Sequence, residues 1–167
     1  MNGKYNNPGD RRGGGNRNFG GDRNKGGGDR QISPEEFVKG AQDHFGKHYA
    51  DLLDMEHSAD LDGLDKQLKA FVKLHYKDVT SSQLRNIFGK IKPIEKKEVN
   101  KLKMQRPKLA YVIARQNKKQ GALALMYWFD DLIGRVKGEK DVEGFKTLLE
   151  AVVAYHKYFE TLNPKQR

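Results

Sequence analysis

Over most of this chain, apolar residues recur every three or four positions, the spacing that keeps them on one face of an α-helix. The pattern begins at Ser33-Pro34-Glu35-Glu36, a capping box with proline at the first helical position. Phe37, Val38, Ala41, Phe45 and Tyr49 continue it and predict a helix ending near Met55. A second helix, opening at Ser58 or Asp60, carries Leu61, Leu64, Leu68, Phe71, Val72 and His75 on one stripe. Thr80-Ser81-Ser82-Gln83 is another capping box and opens a third helix with Leu84, Ile87, Phe88 and Ile91 inward. Pro93 ends it, because proline lacks the N–H a helix interior needs and clashes with the preceding turn. Residues 96–104 predict a short helical arm. Pro107 starts a helix packed through Leu109, Ala110, Val112 and Ile113, with Tyr111 a further packing candidate. Residues 121–136 are apolar on more than one side, which predicts the central helix. Asp141 caps a last helix whose stripe is Val142, Phe145, Leu148, Leu149, Val152, Val153, Phe159 and Leu162. No segment alternates with period two, so strands are not expected. The expected fold is all-α, a compact bundle of five to six helices.

Composition adds a second segment. Residues 1–30 hold ten of the 18 glycines, six asparagines and only two aromatics, Tyr5 and Phe19. Such a stretch buries too little apolar area to offset the entropy of ordering it, so a disordered Gly/Asn/Arg-rich tail is expected ahead of one helical domain at 31–167. Arg11-Arg12-Gly13-Gly14-Gly15 within it resembles an RGG segment, a type that binds single strands loosely. The chain has no cysteine, which excludes disulfides, thiolate nucleophiles and cysteine-based metal sites. No apolar run approaches the roughly 18 residues of a membrane span, and Met1-Asn2-Gly3-Lys4-Tyr5 lacks the apolar core of a signal peptide. A soluble intracellular protein, not associated with a membrane, is the expectation.

Charge changes the picture most. The 167 residues carry 32 Lys/Arg against 22 Asp/Glu, a net charge of +10. The tail contributes +4, residues 31–84 contribute −4, and residues 120–167 contribute 0. Residues 85–119 alone contribute +10, with twelve basic groups and only Glu95 and Glu98 against them. A solvated helix face usually mixes signs at four-residue spacing. A block this one-sided points to a surface that meets an anion, nucleic acid first among the candidates. The candidate contacts are Arg85, Lys90, Lys92, Lys103, Arg106, Lys108, Arg115, Lys118 and Lys119. Lys108 and Arg115 are seven apart and share a helix face, with Lys119 expected a further turn along. If six to eight cations touch phosphate, binding falls with salt along a log–log slope of about −4 to −6 for single strands. Aromatics are sparse in the block, Phe88 and Tyr111 only. That favours reading of backbone and duplex shape over base stacking.

Catalytic and metal chemistry find little support. His44 and His48 share a face, but Phe45 stands where a zinc protease needs glutamate, and no third ligand follows. Asp130-Asp131 point in different directions and read as a solvent edge of the central helix. Gly13-Gly14-Gly15 has neither the preceding strand nor the Gly-Lys-Ser/Thr of a phosphate loop. The chain reads as non-catalytic, with no cofactor and no metal.

Three segments together carry a family resemblance. They are Thr80-Ser81-Ser82-Gln83-Leu84-Arg85, Arg106-Pro107-Lys108-Leu109-Ala110-Tyr111-Val112-Ile113-Ala114-Arg115, and Glu150-Ala151-Val152-Val153-Ala154-Tyr155-His156-Lys157. In this order and spacing they resemble the small subunit of the type III-A CRISPR effector, the Csm complex, over roughly residues 35–162. The resemblance implies a helical bundle in the prokaryotic cytoplasm that serves antiviral defence. Several copies would stack beside the backbone subunits and the large subunit, holding the guide–target RNA duplex without reading its sequence. The resemblance further implies that catalysis lies elsewhere in such a complex, with target RNA cleavage in the backbone subunit and single-stranded DNA cleavage and cyclic oligoadenylate synthesis in the large one. On this resemblance Arg85, Arg106, Lys108 and Arg115 are the leading RNA contacts, with Lys157 a lesser one. Arg85 has a structural alternative, an ion pair with the preceding helix. Gln83 is assigned to capping, and Tyr111, Glu150, Tyr155 and His156 to packing, with a buried Glu150–Arg115 or Glu150–Arg85 pair. Two rivals remain: a generic single-strand binder working through its tail, and a helical adaptor for an acidic protein.

Overall fold

The computed structural model describes residues 32–115 and 119–163, so the tail expected at 1–30 lies outside the described residues. Among the described residues seven α-helices run in chain order: α1 Pro34–Phe45, α2 Leu61–His75, α3 Ser81–Ile91, α4 Val99–Lys103, α5 Arg106–Arg115, α6 Gln120–Arg135 and α7 Glu139–Leu162. Six have ten residues or more, and α4 is little over one turn. Two 3₁₀ segments, Gly46–Leu53 and Met55–His57, join α1 to α2. Among the described residues there is no strand, and no helix is long and apolar enough to cross a membrane.

Both capping boxes form. Ser33 Oγ accepts from the Glu36 amide while Glu36 accepts from the Ser33 amide, and Thr80 and Gln83 repeat the exchange at α3. Each satisfies amides that a helix N-terminus would otherwise leave unpaired. Asp60 caps α2 through the Gly63 amide. Asp141 sits inside the first turn of α7 rather than ahead of it, and its carboxylate reaches back to the amides of Lys137 and Gly138.

The helix expected to run to Met55 stops at Phe45. Gly46 adopts a φ of 52°, in the left-handed region that favours glycine. Beyond it the chain winds as 3₁₀ helix, and Tyr49, Leu52 and Met55 stay buried at a spacing of three, the period of that tighter helix. A mixture of three and four had looked like continuous α-helix. Four positions expected inside or as packing candidates, Leu61, Ala110, Tyr111 and Leu162, are exposed instead.

Helix α6 occupies the centre, buried from Gly121 through Met126 and again at Trp128, Phe129, Leu132 and Ile133. It packs against α1, α2 and α5, while α7 covers α2, α3 and the first 3₁₀ segment. Trp128 is fully buried, stacked on Phe45 at 5.5 Å between centroids and set edge-on to Phe71 at 4.8 Å. Burying an aromatic ring of this size removes well over 100 Å² from water, several kcal/mol of driving force. The Trp128 Nε1–H has no acceptor among the described residues, a cost of about 1–3 kcal/mol that the surrounding packing must exceed.

Polar ties fasten the helices around this core. His156 is buried on α7 and donates from Nε2 to the carbonyls of Val79 at 2.6 Å and Tyr76 at 3.0 Å, in the loop before α3. Asp78 in that loop accepts from the Gly121 amide at 2.7 Å, which caps α6 from outside its own sequence. Tyr49 donates to Asp131 at 2.8 Å, and Tyr155 donates to Asp65. The packing role expected of Tyr155 and His156 therefore takes a polar form.

Two predictions concern stability. A Cβ on Gly144 would lie 1.7 Å from the Leu53 carbonyl oxygen, so α7 and the 3₁₀ segment touch backbone to backbone there. Gly144→Ala is expected to lower stability by about 2 kcal/mol or more through overpacking. Gly40→Ala meets open space on α1 and is expected to raise it by about 0.5–1 kcal/mol. Urea unfolding midpoints of the two variants check the opposite signs. The second prediction concerns alkaline pH. Burial, then the bond to Asp65, push the Tyr155 phenol up to about 12, and burial and Asp131 push Tyr49 up as well. Phenols whose folded pKa is raised add stability that is complete below the unfolded value near 10 and lost as pH rises toward the folded value. The melting temperature should thus fall between about pH 10 and 12, and Tyr155→Phe should flatten that fall.

Candidate nucleic-acid interface

The basic block maps onto α3, the α3–α4 connector, α4, α5 and the start of α6. Its cations divide into two groups. Lys96 pairs with Glu139 at 3.8 Å, Lys97 with Glu95 at 3.0 Å and Lys101 with Glu98 at 3.2 Å, so much of the connector charge is answered within the chain. Arg106 joins this paired group. Its Nε and Nη2 donate to the two carboxylate oxygens of Asp130 on α6, each at 2.8 Å, a two-pronged bond that clamps the start of α5 to the central helix. Hydrogen bonding to Asp130 raises the Arg106 pKa further, so the guanidinium stays charged and held. The second member of the acidic pair, Asp131, accepts from Tyr49 and, at 2.6 Å, from Arg135. Asp130-Asp131 is therefore not a solvent edge. It is a pair of anchors, one for α5 and one for the 3₁₀ segment.

The remaining cations point outward without a carboxylate partner among the described residues: Arg85, Lys90, Lys92, Lys103, Lys108, Arg115 and Lys119. Three of them converge. Lys90 from α3 and Lys108 and Arg115 from α5 line one cleft of about 630 Å³ between the two helices. Ile87, Ile91, Leu109 and Val112 give it an apolar floor, and Gln83 and Asn86 add amides along the α3 wall. Lys108 Nζ is steadied by the buried Gln105 at 3.0 Å, and the Arg115 guanidinium lies over the Tyr111 ring, 5.7 Å from its centroid. Lys92 lies over Phe88 on the far side of α3.

Several expectations change here. Tyr111, assigned to packing, is 63% exposed at the rim of the cleft. Glu150 is exposed and pairs with neither Arg115 nor Arg85. Arg85 likewise makes no ion pair to the preceding helix. Lys119 is not a further turn of the Arg115 face, because α5 is described to Arg115 and Lys119 is the extended residue ahead of α6. Lys118 lies outside the described residues. Lys157 is tied to Glu160 at 3.3 Å. Gln83 caps as expected, through its side-chain oxygen, and still contributes to the cleft wall. The sequence did contain a signal for the cleft. Gln83, Asn86 and Lys90 lie at offsets of three and four along α3, and Lys108, Tyr111 and Arg115 do the same along α5.

His44 and His48 do not converge on an open site. His44 Nε2 donates to the Gln67 carbonyl at 2.9 Å, and the His48 ring nitrogens lie 2.7 Å from Gln67 Oε1 and 3.1 Å from Asp60 Oδ2. No group of three or more potential metal ligands occurs among the described residues.

A family model described as Csm2 Type III-A matches residues 58–161, from the start of α2 nearly to the end of α7. The chain belongs to the Csm2 type III-A family. Members are small subunits of the type III-A Csm complex, as the three sequence segments had suggested. The matched region contains both walls of the cleft, the Arg106–Asp130 clamp and the buried His156. No curated protein and no solved structure matches the chain significantly.

The clamp separates a structural arginine from the outward cations, and this is testable. Arg106→Ala should lower stability by about 1 kcal/mol, at the upper end for partly exposed pairs because the bond is two-pronged. A double-mutant cycle with Asp130→Ala should return most of that as coupling, measured by urea unfolding.

Proposed function

We propose that this Csm2-family chain is a non-catalytic subunit that holds the guide–target RNA duplex of the type III-A complex through its phosphates. The observation that carries the reading is the convergence of Lys90, Lys108 and Arg115 on one cleft, none of them neutralised by a carboxylate. Arg85, Lys92, Lys103 and Lys119 are further exposed cations outside the cleft lining, without a carboxylate partner among the described residues. Cations unanswered within the fold are available to phosphate, and none of these contacts requires a particular base. Base pairing between guide and target supplies the sequence information, so a subunit of this kind needs only charge and shape. Family membership supports the scaffolding half of the reading, in which other faces meet backbone and large subunits and further copies of the chain, in the prokaryotic cytoplasm, in antiviral defence.

The experiment is RNA binding by the full chain across a salt series. Reversing Lys90, Lys108 and Arg115 to Glu should reduce affinity at least a hundredfold and leave the circular dichroism spectrum native. Against an RNA duplex the wild-type log–log salt slope should be about −5 to −7 and should become shallower by about 3 in the triple variant. Native spectra with unchanged affinity would overturn the assignment. Deleting residues 1–30 should change affinity little; loss of most binding on that deletion would favour a tail-driven single-strand binder instead.

A further inference from the structure

Phosphate contacts explain the rim of the α3–α5 cleft but not its interior. A duplex lays its phosphates across a surface, and cations on a flat helix face would serve that purpose. Here the charges surround an apolar floor formed by Ile87, Ile91, Leu109 and Val112, and an aromatic ring stands in the opening. A single exposed aromatic is ordinary on a protein surface, so exposure by itself decides nothing. The position decides it. Tyr111 is 63% exposed, Arg115 covers its ring from one side, and its neighbours three and four residues away on α5 are the two cations of that wall.

A ligand that matches this arrangement needs a flat face to stack on Tyr111, a negative charge beside that face, and polar edges for Gln83 and Asn86. An acidic peptide offers the charge without the flat face. A paired RNA helix offers the charge but keeps its base faces inside the stack. An unpaired nucleotide offers all three, and a cleft of about 630 Å³ is ample for one. We infer that the α3–α5 cleft takes one unpaired nucleotide of the bound RNA, with the base on Tyr111 and the adjoining phosphates on Lys90, Lys108 and Arg115. The inference rests on the RNA-binding reading above and adds to it a preference for interrupted over continuous duplexes. Every base has a face to stack, so the preference is for an unpaired position and not for a particular base.

The test compares an uninterrupted RNA duplex with the same duplex carrying one unpaired nucleotide, titrated against the full chain. Wild type should bind the interrupted duplex about tenfold more tightly, within the range measured for one base stacked on an aromatic side chain. Tyr111→Leu keeps apolar bulk at an exposed position but removes the stacking surface. It should abolish the preference and leave affinity for the uninterrupted duplex within about twofold, while Tyr111→Phe keeps the preference. With 2-aminopurine as the unpaired base, fluorescence should drop on binding to wild type and not on binding to Tyr111→Leu. Equal affinity of wild type for the two duplexes, or a preference that survives in Tyr111→Leu, overturns this inference and leaves the phosphate reading standing. Failure of wild type to bind either duplex overturns both.

Discussion

The stacking of Trp128 on Phe45, with Phe71 set edge-on, is the interaction on which the remaining architecture depends. It joins the end of α1, the middle of α2 and the centre of α6 in one contact. Phe129, next to Trp128, carries the packing on to Phe145 of α7. Because α6 is fixed from within, the residues that follow Trp128 are fixed in direction too. Asp130 and Asp131 emerge where α6 reaches the edge of the core, and each holds a different element. Asp130 sets the start of α5, and α5 supplies one wall of the charged cleft. A hydrophobic contact deep in the molecule is thus linked, through a single carboxylate, to the helix that carries two of the three cleft cations.

Charge in this chain is best understood by what answers it. Lys96, Lys97, Lys101 and Arg106 find carboxylates within the fold and contribute little to the field outside it. The others stay unanswered, and three of them, Lys90, Lys108 and Arg115, line the cleft between α3 and α5. Net charge alone would have ranked Arg106 beside Arg115, since both lie in the same basic block and the same helix. Their geometry separates them: one is a structural tie, the other part of an open surface.

The helices, their caps and the central place of α6 were legible because each depends on local spacing. Ser33 with Glu36 and Thr80 with Gln83 act within one turn, and the stripe from Leu64 to Val72 needs no knowledge of its partners. The break at Gly46 was not legible, because residues at three-residue spacing satisfy α and 3₁₀ winding alike over a short stretch. The cation block was visible in composition, but its division was not. Asp130 lies 24 residues from Arg106, and only the packing of α5 on α6 brings them together. Tyr111 was misplaced for a related reason: its neighbours Leu109 and Val112 point inward, and the half turn of helix from Leu109 is enough to send an aromatic residue the other way.

Helix α5 contributes one fully buried side chain, Leu109, to the core, against ten buried residues from α6. With so little apolar area holding it, α5 is the wall of the cleft that opens at least free-energy cost, and its amides belong to the low-stability end of the molecule. The two sides of the cleft therefore differ in how they are anchored. The α3 side is closed by a capping box and backed by α7, and the α5 side is seated on α6 through Leu109 and the Arg106–Asp130 clamp.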